Sequence, residues 1–272
     1  MKLCSPWVSA FVIVWLSMIA AAAGAADQEI DTAVQRYRES LQDSSPAELW
    51  VLRGEGLFRE KRGPRKASLE TCDFGLGAGI VKGAYARLPR YFADTGRVED
   101  LESRLMTCMG RLQGFSAEAF PRHAPSDPDR MADLARLAAY VASESAGLKL
   151  EAPLSHPKEI EAYRVGELLF HRRAGSHDFS CATCHATQGK RIRLQRLAQL
   201  TDPKDAQRAL PTWPAYSVGP GDMLTMQHWI ALCYYQSRHP QLRYGSDAAI
   251  ALQVFLAQHA NGGVIAAPGT RR

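Results

Sequence analysis

The sequence lacks any dense cluster of lysine and arginine residues, which argues against a nucleic-acid-binding protein. Its net charge is only +5, from 33 basic and 28 acidic residues in a chain of 272. Charged residues make up 22% and hydrophobic residues 46%, a balance unlike that of a disordered chain or a multi-span membrane protein. Strand signals are weak throughout, so we expect a mostly α-helical fold.

Cysteine is scarce, and the first of the six cysteines lies in a segment typical of a signal peptide. Lys2 precedes an apolar run over residues 7–19, and small residues follow at positions 20–26. A retained membrane anchor is the alternative, but the run is shorter than the ~20 residues of a membrane span. We therefore expect residues 1–26 to be removed, leaving a periplasmic protein without a membrane span in a compartment where disulfides persist.

The segment Cys181–His185, with the sequence CATCH, is the strongest chemical signal. C-x-x-C-H is the covalent attachment pattern of c-type haem, in which the histidine is an axial iron ligand. A redox dithiol needs no following histidine, and a zinc site needs a second ligand pair that the sequence lacks. The motif occurs once, which predicts one covalently bound haem c held by Cys181, Cys184 and His185.

The chain also repeats itself. The segment GEGLF at residues 54–58 resembles GELLF at 166–170, and each is followed by a cysteine, Cys72 or Cys181. In the first copy Cys72 is followed by DFGL, where a haem site has cysteine and histidine at the fourth and fifth places. The repeat therefore predicts two tandem cytochrome c-like domains, of which the first has no haem.

The domain boundaries follow from the proline-containing segment near residue 150, which we interpret as a linker. The first domain is then residues 27–150 and the second residues 151–272. Periodicity and capping signals predict helices at these residues: 101–109, 131–145, 159–170, 226–236 and 246–260. We expect Gly166 and Phe170 to meet the last of these helices at close range.

Two cysteines downstream of the repeated segments lie in helical surroundings. In a first domain without haem, Cys108 faces Cys72, and we expect them to form a disulfide. Closing this loop stabilises the fold by roughly 4 kcal/mol if the effect is mainly on unfolded-chain entropy. By the same analogy, Cys233 lies opposite His185, on the other side of the haem.

A thiolate from Cys233 is one candidate for the sixth iron ligand and would lower the reduction potential. Methionine is the alternative, from Met223 or Met226, with Cys233 then a buried inert thiol. His228 is a weaker candidate.

The mature chain resembles the SoxA family, the A subunits of the sulfur-oxidation cytochrome SoxAX. The most specific segments are VKGAYARLPRYFADTGRV at residues 81–98, DLESRL at 100–105, CATCH with GKRIR at 189–193, and MQH at 226–228 with Cys233 and Gln236. The resemblance implies two cytochrome c-like domains, with a disulfide in place of the first haem in single-haem members. It also implies that Cys233 is both the distal iron ligand and the catalytic cysteine, carried as a persulfide.

The activity implied by the resemblance is that of an L-cysteine S-thiosulfotransferase. Thiosulfate is oxidatively coupled to a cysteine of the carrier protein SoxYZ, and the electrons pass through the haem to the cytochrome SoxX. The alternative functions are a plain electron-transfer cytochrome with a methionine ligand and, less favoured, a haem enzyme acting alone.

One position departs from the family pattern. SoxA proteins usually carry a substrate-binding arginine four residues before the catalytic cysteine, where this chain has Trp229. Because thiosulfate is a dianion, we expect another cation near Cys233. Arg238 is the first candidate, followed by Arg193 and Arg243.

Overall fold

The computed structural model describes residues 45–120, 128–192 and 195–271, together with Glu29, Thr32, Ala33, Arg36, Tyr37 and Ser40. The predicted signal peptide and Arg193 lie outside these residues. The helices are α1 (Ala47–Arg59), α2 (Leu101–Cys108), α3 (Pro128–Ser143), α4 (Pro157–His171), α5 (Cys181–His185), α6 (Pro203–Ala209), α7 (Met226–Gln236) and α8 (Asp247–Ala260).

Helices dominate the regular structure, and the expected helical class is confirmed. The strands are two or three residues long: β1 (Arg90–Phe92), β2 (Arg97–Glu99), β3 (Arg191–Ile192), β4 (Gln195–Arg196), β5 (Ala215–Ser217), β6 (Asp222–Leu224) and β7 (Gly269–Arg271). They form three small sheets, of which the largest has the order β6–β5–β7. No helix in the described ranges is both long and apolar enough to cross a membrane.

Two pairs of helices cross in the same way. Helix α1 packs against α3, and α4 packs against α8. A Cβ atom on Gly54 of α1 would lie 2.0 Å from the carbonyl oxygen of Arg136, and one on Gly166 of α4 would lie 2.0 Å from that of Ala251. Only glycine permits backbones this close. The predicted approach of Gly166 to the last helix is confirmed, and Phe170 contacts Phe255 there with ring centroids 5.0 Å apart.

Two β-hairpins also resemble each other, because each is followed by a helix that ends at or near a cysteine. Strand β1 pairs with β2, and β5 pairs with β6, both antiparallel. Asp100 caps α2 and Thr225 caps α7 through side-chain acceptors for backbone N–H groups. Cys108 and Cys233 both lie eight residues after these caps (100 to 108 and 225 to 233), so each lies two turns along its helix.

We call the residues up to 150 the first half of the chain and those from 151 the second half. The first half contains a buried disulfide between Cys72 and Cys108, whose Cα atoms are 5.7 Å apart. Aromatic side chains from both halves, including Phe58, Phe74 and Phe255, belong to one continuous hydrophobic core. The segment after α3 also joins the halves, because the Glu151 amide donates to Ala86 and the Leu150 amide donates to Gly263.

Candidate haem-binding site

The CATCH segment forms the short helix α5. Ser180 caps this helix: its hydroxyl accepts from the Thr183 amide at 3.1 Å, and its own amide donates to the Thr183 hydroxyl at 3.0 Å. This reciprocal cap stabilises a helix too short to be stable alone. The helix carries Cys181 and Cys184 as free thiols, three residues apart and therefore on neighbouring positions of one face.

His185 is oriented as a metal ligand requires. Its Nδ1 lies 2.9 Å from the carbonyl oxygen of Ala198. Because a carbonyl can only accept, Nδ1 carries the proton and Nε2 keeps its lone pair for a metal. Burial lowers the pKa of His185, although the hydrogen bond to Ala198 opposes this shift. The imidazole is therefore neutral at physiological pH, which is the form that binds iron.

A cavity of about 700 Å³ lies beside α5. Its volume is within the roughly 300–1,000 Å³ that small-molecule and cofactor sites occupy. Cys181 and His185 line one part of it, and leucine side chains from the loop after α5 and from α8 line much of the rest. The Cys181 thiol, the oriented imidazole and the mainly apolar lining of this cavity fit a c-type haem, with Cys184 on the same short helix.

Helix α7 forms another wall of the cavity. Met226, Trp229, Ile230 and Cys233 line it, and their spacing of three or four residues places them on one face of the helix. Cys233 therefore shares the cavity with Cys181 and His185. Burial raises the pKa of the Cys233 thiol to about 12, with smaller contributions from Cys181 and Cys184. This sulfur stays protonated at neutral pH unless a metal cation binds it.

The two candidate methionine ligands occupy different places. Met223 is buried in a separate cluster with Ala47 and Ala135 of the first half, and it does not line the cavity. Met226 does line the cavity, two helical turns before Cys233. His228 lies on α7 but is not part of the cavity wall as far as the described residues define it.

The arginines that line the cavity are not those expected from the sequence. Arg238 is exposed just after α7, with its guanidinium 5.7 Å from the centre of the Tyr235 ring, and it does not line the cavity. Arg243 is also exposed and outside the lining. Four other arginines contribute to the wall: Arg36, Arg196, Arg208 and Arg271.

These cavity arginines come from distant parts of the sequence. Arg271 is brought to the cavity because β7 pairs with β5. Its guanidinium donates to the Ala209 carbonyl oxygen at 2.6 Å and lies 4.5 Å from the Trp213 ring centre. Trp213 in turn packs against Trp229, with ring centroids 5.3 Å apart. No local motif marks such a group, so sequence reasoning missed it.

A C-x-x-C-H helix beside an apolar cavity, within a helical fold, defines the class of c-type cytochromes. Comparison with known proteins narrows this class. The family model for the SoxA/TsdA cytochrome c domain matches residues 53–150. The L-cysteine S-thiosulfotransferase subunit SoxA of Hydrogenophilus thermoluteolus is 47% identical over 240 residues, covering 88% of each chain.

A second SoxA subunit, from Hydrogenobacter thermophilus, is 36% identical over 225 residues, covering 82% of this chain and 81% of that one. The crystal structure of SoxXA from P. pantotrophus has a similar fold, with a TM-score of 0.71 at 21% identity. The match covers 87% of this chain and 84% of the matched chain. The chain belongs to the SoxA family.

Proposed function

We propose that this protein is the SoxA subunit of an L-cysteine S-thiosulfotransferase, which oxidatively couples thiosulfate to a cysteine of a carrier protein. Membership of the SoxA family supports the activity. The observation that carries the assignment of the site is that Cys233 shares one cavity with Cys181 and His185.

In this proposal Cys181 and Cys184 hold a single haem c by thioether bonds, and His185 Nε2 binds the iron. The sequence contains one C-x-x-C-H segment, which supports a count of one. When bound, this group accepts and passes on single electrons. The hydrogen bond from His185 Nδ1 to Ala198 fixes the ring orientation that this ligation needs.

Cys233 would be the second protein ligand of the iron and is the proposed catalytic residue. A cysteine sulfur suits the reaction because S–S bonds form and exchange through thiolate or persulfide sulfur. In the overall coupling, the carrier thiolate and the terminal sulfur of thiosulfate form one S–S bond, R–S⁻ + S–SO₃²⁻ → R–S–S–SO₃⁻ + 2e⁻, and the proposed partner cytochrome would take up the two electrons one at a time. The cavity arginines, including Arg271, would offer positive charge to an anion that enters the same cavity as this sulfur, although Arg208 also pairs with Asp205 at 2.6 Å.

We further propose that residues 27–150 and 151–272 are tandem cytochrome c-like domains, with a disulfide in place of haem in the first. The equivalent helix crossings at Gly54 and Gly166 support this repeat. So does the equal position of Cys108 and Cys233 after their helix caps.

We also propose a partner subunit, substrates and a cellular compartment for this protein. The matched crystal structure is of SoxXA, so we propose a SoxX-type cytochrome as partner subunit. A SoxYZ-type carrier and thiosulfate are the proposed substrates. Residues 1–26 act as a signal peptide in this proposal and place the protein in the periplasm.

The test is replacement of Cys233 by Ala in the haem-loaded protein with its partner cytochrome. We expect coupling of thiosulfate to stop and the ferric haem spectrum to change, because the proposed ligand and reactive sulfur are both lost. Mass spectrometry of the unmodified protein should detect additional sulfur on Cys233.

Replacement of Met226 by Leu is the matched comparison, because Met226 lines the same cavity from the same helix. If the Leu variant and not the Cys233→Ala variant changes the ferric spectrum, methionine binds the iron and the proposal is wrong. Thiosulfate coupling that persists without Cys233 also contradicts it.

A further inference from the structure

The first turn of α7 is held by two carboxylates of the other half. The backbone amide of Gln227 donates to Glu102 Oε1 at 3.0 Å, and the Gln227 side-chain amide donates to Asp100 Oδ2 at 2.6 Å. The Gln227 side-chain oxygen accepts from the Gly245 amide at 2.7 Å. Asp100, Glu102 and Gln227 are all at most 3% exposed. Three polar groups of one residue are thus paired at the junction of the halves.

Because these hydrogen bonds are buried, they hold α7 in one position. A buried polar group without its partner costs about 1–3 kcal/mol, and more if charged, so α7 cannot slide or rotate without a penalty. Glu102 also lies at the amino-terminal end of α7, where the helix dipole favours negative charge. Asp100 accepts a further hydrogen bond from the Gln253 side chain of α8. The two carboxylates therefore fix α7 relative to both the first half and α8.

The junction is next to the proposed haem cavity. A void of about 40 Å³, large enough for water, lies between them and is lined by Asp100, Gln253 and Met226. Met226, Leu210 and Leu256 line both this void and the larger cavity. Asp100 is therefore separated from the cavity that contains Cys233 by this void and by side chains that line both, such as Met226.

We propose that Asp100 and Glu102 are positioning residues for Cys233. Through Gln227 they fix the position of α7, and Cys233 lies six residues further along the same helix (227 to 233). This inference rests on the proposed function of Cys233. It gives the first half of the chain, which has no haem motif, a role in positioning that residue. A misplacement of about 1 Å at a reacting group can lower a rate by as much as about 100-fold.

The test compares variants of the full-length, haem-loaded protein in complex with its partner cytochrome. Glu102→Met removes the acceptor of the Gln227 amide, whereas Glu102→Gln removes the charge but keeps an oxygen acceptor. Gln227→Leu breaks the contact with Asp100 from the side of α7. The measurements are the ferric haem spectrum, the midpoint potential, and kcat and KM for thiosulfate coupling.

The matched control is Glu99→Met. Glu99 is as buried as Glu102 and lies three residues from it, but its carboxylate binds Arg104 at 3.2 Å and Thr107 at 2.8 Å, both in the first half. Its loss should lower stability without moving α7. This control separates a general loss of stability from a specific loss of position.

We expect Glu102→Met and Gln227→Leu to change the ferric spectrum and to lower kcat by about ten-fold or more, with a smaller change in KM. Glu102→Gln should restore the normal spectrum, and Glu99→Met should retain it. If Glu102→Met does not fold, the measurements on Gln227→Leu test the positioning role.

The inference is overturned if the folded Glu102→Met or Gln227→Leu variant matches the unmodified protein, or if Glu99→Met causes the same change. Cys233→Ala, measured in parallel, distinguishes this failure from failure of the proposed function. If Cys233→Ala loses coupling but Glu102→Met and Gln227→Leu behave like the unmodified protein, only the positioning role is rejected. Retained coupling in Cys233→Ala rejects both.

Discussion

Two cysteines at the same helical position, Cys108 and Cys233, have different surroundings. Cys108 faces Cys72 and is oxidised to a disulfide, whereas Cys233 faces a cavity wide enough for a cofactor. The sulfur chemistry available to each is set by what lies across from it. At the residue scale, function follows from the partner of each thiol and not from its place on the helix.

Glu102 gives a residue-scale prediction about pH. Burial raises the pKa of Glu102 from 4.5 to about 7, and the charge of Asp100 adds to this shift. The folded state therefore binds the proton more tightly than the unfolded state. The contribution of Glu102 to stability is fully present below about pH 4.5 and is lost as the pH rises through 7.

Glu102→Gln mimics the protonated form at every pH and lacks this dependence. Denaturant unfolding of both proteins between pH 5 and 8 should therefore show that Glu102→Gln gains stability relative to the unmodified protein as the pH rises. The other ionisable groups facing Glu102, namely Asp100, Tyr85 and Tyr244, are present in both proteins. A difference that is constant over this range would show that Glu102 titrates normally.

At the level of elements, the crossing of α4 and α8 depends on one missing side chain. Gly166→Ala places a Cβ atom 2.0 Å from the Ala251 carbonyl oxygen, so the helices must separate. We expect a loss of about 1–3 kcal/mol in the free energy of unfolding and a change in the haem absorption spectrum, because α4 and α8 both line the cavity.

Gly56→Ala is the control for this prediction. Gly56 is also helical, on α1, but a Cβ atom there meets nothing within 4 Å. Alanine should stabilise the protein by about 0.5–1 kcal/mol at this site. Equal effects of the two substitutions in denaturant unfolding would show that close approach of the helices is not needed.

Helices were predictable from the sequence because their signals are local. The predicted helix 226–236 coincides with α7, and Ser246 caps α8 as its place before the apolar stripe indicates. The strands were not predicted, since each has only two or three residues, too few for an alternating pattern to be recognised. Strand β7 depends in addition on a distant partner, because it pairs with β5 more than 50 residues earlier.

The same distinction applies to the site. Cys181, Cys184 and His185 could be selected as candidates from a contiguous motif, and Cys233 from its analogy with Cys108; their roles stay predictions. Arg271 was not, because only the tertiary fold brings it to the cavity. The junction of Asp100 and Glu102 with Gln227 was missed for the same reason.

For the whole molecule, the continuous core predicts cooperative unfolding. Phe58 and Phe74 of the first half belong to the same buried cluster as Phe170 and Phe255 of the second. We therefore expect one calorimetric transition of the haem-loaded protein, coincident with the change in haem absorbance. Two separated transitions would show that the halves are energetically independent.

The cavity shared by Cys181 and Cys233 has a consequence for maturation. In the first half, the corresponding pair of thiols is already cross-linked. If residues 1–26 direct export as proposed, Cys181 and Cys233 would meet an oxidant as free thiols that line one cavity. Thioether formation at Cys181 would then have to precede oxidation, and the yield of active protein would depend on the supply of reductant during export.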